Sequence, residues 1–143
     1  MAYEITPVDV WVGQIEDRPG GLAEKLEAIA EAGDNLEFMV ALRNMNMSET
    51  GVLLLSPLHG EGEVRAAQRG GLTKWTTAHS LRVEGPDRPG LGATITRAVA
   101  DAGISMRGAA AARSGDHVIF HLAFDGESDA DRAAEALAVA LAD

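Results

Sequence analysis

Asp-Arg-Pro-Gly occurs twice in this chain, as Asp17-Arg18-Pro19-Gly20 and as Asp87-Arg88-Pro89-Gly90, at an offset of 70 positions. The same offset relates Ala23 to Ala93, Ala30 to Ala100, Ala32 to Ala102, Gly33 to Gly103, Ala41 to Ala111 and Arg43 to Arg113. A period of this size is too long for a stacked solenoid repeat. It is long enough for one small α+β unit. The 143 residues therefore read as two copies of one module, residues 1–78 and 79–143. A module this small buries a limited core and gains from packing on a neighbour.

The hydrophobic periodicity gives both copies the same order of elements. In the first, residues 8–16 form a β-rich run, and Leu22, Leu26 and Ile29 then mark an amphipathic helix that Gly33 stops. Leu36, Phe38, Val40 and Leu42 alternate as a strand, and GVLLLSPL, EGEVRAAQRGG and LTKWTTAH read as strand, helix and strand. In the second copy SLRVEG is a strand, Leu91, Ile95, Val99 and Ala102 stripe a helix, and ISMRGAAAAR and HVIFHLAF are strands joined by a tight SGD turn. Ser128 and Asp131 read as a capping box for a last helix with Leu137 and Leu141 on its apolar side. The order is βαββαβ followed by βαββα, which predicts an α+β fold of two ferredoxin-like modules with antiparallel sheets and helices on one face. The second copy lacks its closing strand. Either the N-terminal AYEI fills that edge or the edge stays open.

Charge and composition narrow the partners. A net charge of −10 argues against nucleic acid, anionic membranes and phosphate-rich polymers. The chain has no cysteine, so disulfides and thiolate metal sites are excluded, in keeping with a reducing compartment. Its N-terminal residues carry no basic region followed by an apolar run, and no stretch approaches a membrane span. The expectation is a cytoplasmic protein.

The repeated turn has a chemical use. Proline suits a first helical turn, aspartate before it can cap open N–H groups, and glycine lets another group approach the backbone. Open N–H groups at the positive end of a helix can accept a carboxylate. A single Asp-Pro-Gly turn does no more than start a helix; two at equivalent strand-to-helix junctions point to a shared purpose.

With these residues the chain resembles a tandem pair of ACT modules, small βαββαβ regulatory domains that commonly bind amino acids. The resemblance rests on Asp17 to Gly20 with Leu22 and Ala23, the Ala-Glu-Ala-Gly ending at Gly33, and Asn35. In the second copy it rests on Asp87 to Gly90 with Leu91, the Ala-Asp-Ala-Gly ending at Gly103, and Ile104. It spans roughly residues 8 to 141 and is closest to the stand-alone tandem type with no catalytic domain attached. It implies a non-catalytic sensor that binds a small amino acid or related carboxylate where modules meet, without a cofactor, and acts on a regulated enzyme partner. The implied ligand-binding residues are Glu16, Asp17, Arg18, Pro19, Gly20, Gly21, Leu22 and Asn35, with Asp87, Arg88, Pro89, Gly90, Leu91 and Ser105 in the second copy. Copy one departs from the family pattern at Asp34, whose charge would repel a ligand carboxylate, and copy two at Gly92, which weakens its helix start. The two sites are therefore expected to differ. A ligand-free interaction adaptor and a small ferredoxin-like isomerase are the alternatives.

Other chemistry finds little support. His117 and His121 share a strand face, but with His59 and His79 they make no metal-ligand spacing. Asp125, Glu127, Asp129 and Asp131 read as a solvated helix start, and no nucleophile–base arrangement for catalysis emerges. The sheet faces predict self-association. Val8, Val10 and Val12 point one way while Trp11 and Ile15 point the other, and Val52 to Leu55 are apolar on both faces. Ala109, Ala111, Ile119 and Ala123 are expected to line the second face of copy two. Such faces predict a homodimer with a two-fold axis, its sheets packed face to face or joined at their edges.

Overall fold

The computed structural model describes residues 2–143 and contains two compact units, each an antiparallel four-stranded sheet with two helices. The first unit is Asp9–Trp75. It contains β2 (Trp11–Glu16), α1 (Gly21–Glu31), β3 (Phe38–Arg43), β4 (Thr50–Ser56), α2 (Gly60–Arg69) and the short β5 (Thr73–Lys74), in strand order β3-β4-β2-β5. The second unit comprises the residues up to Val8 together with Thr76–Asp143. It contains β1 (Glu4–Val8), β6 (His79–Pro86), α3 (Leu91–Asp101), β7 (Gly108–Ser114), β8 (His117–Phe124) and α4 (Glu127–Ala140), in order β1-β6-β8-β7.

The fourth place in each sheet is filled differently. In the first unit β5 follows α2 and pairs with β2. In the second unit β1 takes that place, with Ile5 opposite Val83 and Val8 opposite Ser80. The open edge is thus closed by the N-terminal strand, and a division at residue 78 differs from the folded one at residues 1–8 and 76–78. Tyr3 secures the junction. It is buried, its hydroxyl donates to the Pro86 carbonyl at 2.7 Å, and its ring lies where a Cβ on Gly85 would fall, 2.5 Å from Cδ1. The run 8–16 is consequently not one strand: Val8 ends β1 and Trp11 begins β2, so Val8 and Val12 do not share a strand face.

The helix stripes lie where their spacing places them. Leu91, Ile95 and Val99 of α3 are buried against Leu122 and Phe124 of β8 and Leu137 of α4. Each such side chain contributes about 1.5–3 kcal/mol on burial. In the first unit Ile29, with Leu22 and Leu26, packs on Trp11, Leu53 and Leu55. The alternation in β4 is sharp: Leu53 and Leu55 are fully buried, while Val52 on the opposite face is 37% exposed.

Two sequence expectations fail on register. Ala109 pairs with Leu122 and Ala111 with Phe120, both core positions, so these alanines belong to the helix-covered face. Ile119 and Ala123 lie on the other face, opposite Ala112 and Gly108. Directly paired residues share a face, so the four do not form one surface. At α4 the cap position is Gly126 with no side-chain cap, and Ser128 lies inside the helix, so the capping box does not form.

Candidate functional site

Both Asp-Arg-Pro-Gly segments sit at a strand-to-helix turn, after β2 and after β6. Gly20 and Gly90 occupy equivalent cap positions of α1 and α3, at φ +85° and +80°. This left-handed conformation is the reason for glycine there. Proline falls one residue outside the cap and not in the first helical turn, because the glycine is needed for the reversal.

The aspartates do not cap. No side chain caps α1 or α3; the N–H groups of Gly21 and Leu91 turn back to the carbonyls of Arg18 and Arg88, at 3.0 and 3.3 Å, and those of the next two residues have no capping side chain. Asp17 instead binds Arg43 of β3 through Nε–H to Oδ2 at 2.5 Å and Nη2–H to Oδ1 at 3.3 Å. Asp87 binds Arg113 of β7 at 3.3 Å. The Asp17 N–H also donates to the Glu49 carbonyl at 2.9 Å, and the Asp87 N–H to that of Asp116 at 2.7 Å. Each turn is therefore pinned to the hairpin beside it by one ion pair and one backbone bond. The repeat offset preserves both members of each ion pair, Asp17 with Asp87 and Arg43 with Arg113.

Arg18 and Arg88 differ. In the first turn Arg18 donates from Nε to Glu16 at 2.5 Å, from Nη2 to Glu24 at 2.7 Å and from Nη1 to the Pro19 carbonyl at 3.2 Å. Its hydrogen bonds to Glu24 first, then to Glu16, hold this guanidinium above its ordinary pKa, and the bond from Arg18 holds the Glu24 carboxyl below its own. In the second turn the positions of Glu16 and Glu24 are Pro86 and Thr94. Arg88 is exposed and has no charged partner among the described residues.

Two cavities adjoin the first turn. One of about 360 Å³ is lined by Gln14, Ile15, Glu16, Arg18, Gly21, Glu24, Lys25 and Thr50. The other, about 240 Å³, is lined by Asp17, Leu22, Leu42 and Arg43 among others, and shares Ile15, Glu16 and Arg18 with the first. Formal charges in the larger cavity balance, with Glu16 and Glu24 against Arg18 and Lys25. Gly21 is where the chain passes closest to itself: a Cβ there would lie 2.2 Å from the Glu16 carbonyl oxygen. In the second unit Gly21 and Lys25 are matched by Leu91 and Ile95, both core residues.

Of the implied binding residues, Glu16 to Gly21 and Asp87 to Gly90 cluster in the two turns, and Leu22 and Leu91 lie in the adjoining helices. Asn35 and Ser105 lie exposed in the helix-to-strand loops and line neither cavity. Asp34 turns its carboxylate inward, with a side chain 1% exposed, 3.5 Å from His59. Its Oδ1 accepts from the Asn35 N–H at 2.8 Å. Sequence reasoning passed over Glu24, Lys25, Gln14 and Thr50, which reach the turn from a helix face and a neighbouring strand. Among the described residues no group of three or more His, Asp or Glu could hold a metal ion.

Residues 79–141 match the family model of the ACT domain, a span running from β6 through α4. No curated protein sequence gives a significant match. Solved structures share the whole fold. The ligand-free regulatory subunit of aspartate kinase from Thermus thermophilus superposes with a TM-score of 0.69 at 17% identity, over 99% of this chain and 97% of that one. A protein of Bacteroides thetaiotaomicron gives 0.77 at 13% identity, over 92% and 88%. Aspartokinase III of E. coli, in complex with lysine and aspartate, gives 0.56 at 12% identity, and this chain covers 33% of its length.

Proposed function

We propose that this protein is a non-catalytic regulatory module that binds a small amino acid at its strand-to-helix turns and works as a homodimer on a partner enzyme. The observation carrying the reading is the repeated turn itself. Left-handed Gly20 and Gly90 open two helices that have no side-chain cap, each beside an arginine that recurs in the repeat, and the first turn adjoins a cavity of about 360 Å³ with balanced charge. Open N–H groups at a helix N-terminus favour a carboxylate. Carboxylate and ammonium together suit a lining with both signs. The family match over residues 79–141 and the fold shared with aspartate kinase regulatory subunits support the same reading.

Thermal-shift titration against the amino acids tests it. A ligand that binds only the folded chain stabilises it by about 2.7 kcal/mol at a hundredfold excess over Kd, and the shift grows with concentration. Such a concentration-dependent shift, lost in Gly90→Ala or Arg88→Gln, is the expected result. No shift from any amino acid would overturn the reading in favour of a ligand-free adaptor.

A further inference from the structure

The two turns are written in the same four residues, yet their arginines stand in opposite states. Arg18 has all three nitrogens engaged, two of them by carboxylates of its own chain. Glu16 reaches it from the end of β2 and Glu24 from the first turn of α1, one from each side of the turn. Arg88 has neither carboxylate, because Pro86 and Thr94 occupy those positions. The flanking pins are the same in both copies, Asp17 to Arg43 and Asp87 to Arg113. Of the charged groups in the two turns, it is the arginine whose partners differ.

We infer that Glu16 and Glu24 act as built-in competitor carboxylates that occupy Arg18 and bar a ligand carboxylate from it, so that the first turn is held shut to anions. This rests on the reading of the turns as amino-acid sites and says how one of them is regulated. A guanidinium offers five N–H donors in a fixed fork, and a carboxylate prefers to take two of them side by side. With Nε on Glu16 and Nη2 on Glu24, that edge of the fork is already divided between two acids. A carboxylate coming to that edge would have to displace one of them, and anywhere on the guanidinium it would meet the charge of both. The side chains of Glu16 and Glu24 are 73% and 62% exposed. The clamp is thus held by charge and not by packing, and a substitution that removes the charge releases it while leaving the core untouched.

The test uses the full chain and two isosteric changes made together, Glu16→Gln and Glu24→Gln. Acetate is the probe, and the readout is the ¹H–¹⁵N spectrum of the amides of residues 20–23 and 90–93 and of the arginine Nε–H groups. In the wild type acetate is expected to leave residues 20–23 and the Arg18 Nε–H unmoved. In the double variant it is expected to shift them saturably. Modification by phenylglyoxal, mapped by peptide mass, gives a second readout that needs no ligand: Arg18 should react several-fold faster in the double variant, with Arg88 unchanged. If acetate shifts the first turn of the wild type as much as that of the variant, the inference falls and the amino-acid reading stands. If acetate shifts residues 90–93 in both proteins and residues 20–23 in neither, the inference again falls alone. If neither turn responds in either protein, both fall together.

Discussion

Gly90 sits at φ +80° with nothing within 4 Å of where a Cβ would be, whereas Gly21 has an ordinary φ and a carbonyl oxygen 2.2 Å from that point. The two glycines are required for different reasons, and their alanine variants should separate them. Gly90→Ala is expected to cost about 1–2 kcal/mol, the left-handed penalty alone. Gly21→Ala forces the backbone of the turn to move, and it is expected to cost more and to perturb Glu16 as well. Chemical denaturation of both variants checks the order. Glu84 supplies a prediction in pH. Its carboxyl is held below the usual range, first by the bond from Arg82, then by that from His117 at 3.1 Å. A depressed carboxylate stabilises the fold above its unfolded pKa, and that contribution is lost as pH falls through the folded value. Melting temperature should therefore fall on acidification less steeply in Glu84→Gln than in the wild type. At this scale the sequence made Gly20 and Gly90 legible through the repeat. The partner of each aspartate was not, although Arg43 and Arg113 stand in the same repeat: an ion pair 26 residues apart depends on which strand lies beside the turn.

Among the elements, α1 and α3 were readable because their apolar positions recur at helical spacing and a glycine ends each. The strand β1 was harder to place. Its partner β6 begins some seventy residues later, and local pattern holds no record of so distant a pairing. Tyr3→Ala should loosen this strand from the second unit and cost about 3–5 kcal/mol, as for other buried aromatics, while Tyr3→Phe, which loses only the bond to Pro86, should cost about 0.5–1.5 kcal/mol. The sheet edges also differ. β1 carries Glu4 and Pro7, and β5 has only two residues, both features that discourage pairing with another chain. β3 has no proline and no charge before its last residue, Arg43, and Leu42 is 66% exposed. A second copy joined antiparallel along β3 about Val40 would set Glu37 of one chain opposite Arg43 of the other. In this cysteine-free chain Val40→Cys is then expected to cross-link spontaneously into a dimer, and Ala41→Pro to lower the mass in solution. A mass of 15.0 kDa for the wild type at all concentrations would refute the dimer.

At the scale of the molecule the net charge of −10 opposes any association of two copies. Raising ionic strength from about 0.01 M to about 0.15 M shortens the Debye length from about 30 Å to about 8 Å. The dimer should therefore tighten with salt over that range, which sedimentation equilibrium can follow. No helix among the described residues is long and apolar enough to cross a membrane.

The chain enters and leaves its first unit at nearly the same place, because Val8, just before it, is paired with Ser80, just after it. One unit is thus spliced into the other, and the β1–β6 ladder acts as the clasp. A tether pulled between Tyr3 and Leu141 would load that clasp and the outer unit, while residues 9–75 felt no tension until the ladder parted. Force–extension records should accordingly show two ruptures in a fixed order, the outer unit first. A tether anchored at residues 9 and 75 would bypass the clasp and open the inner unit on its own.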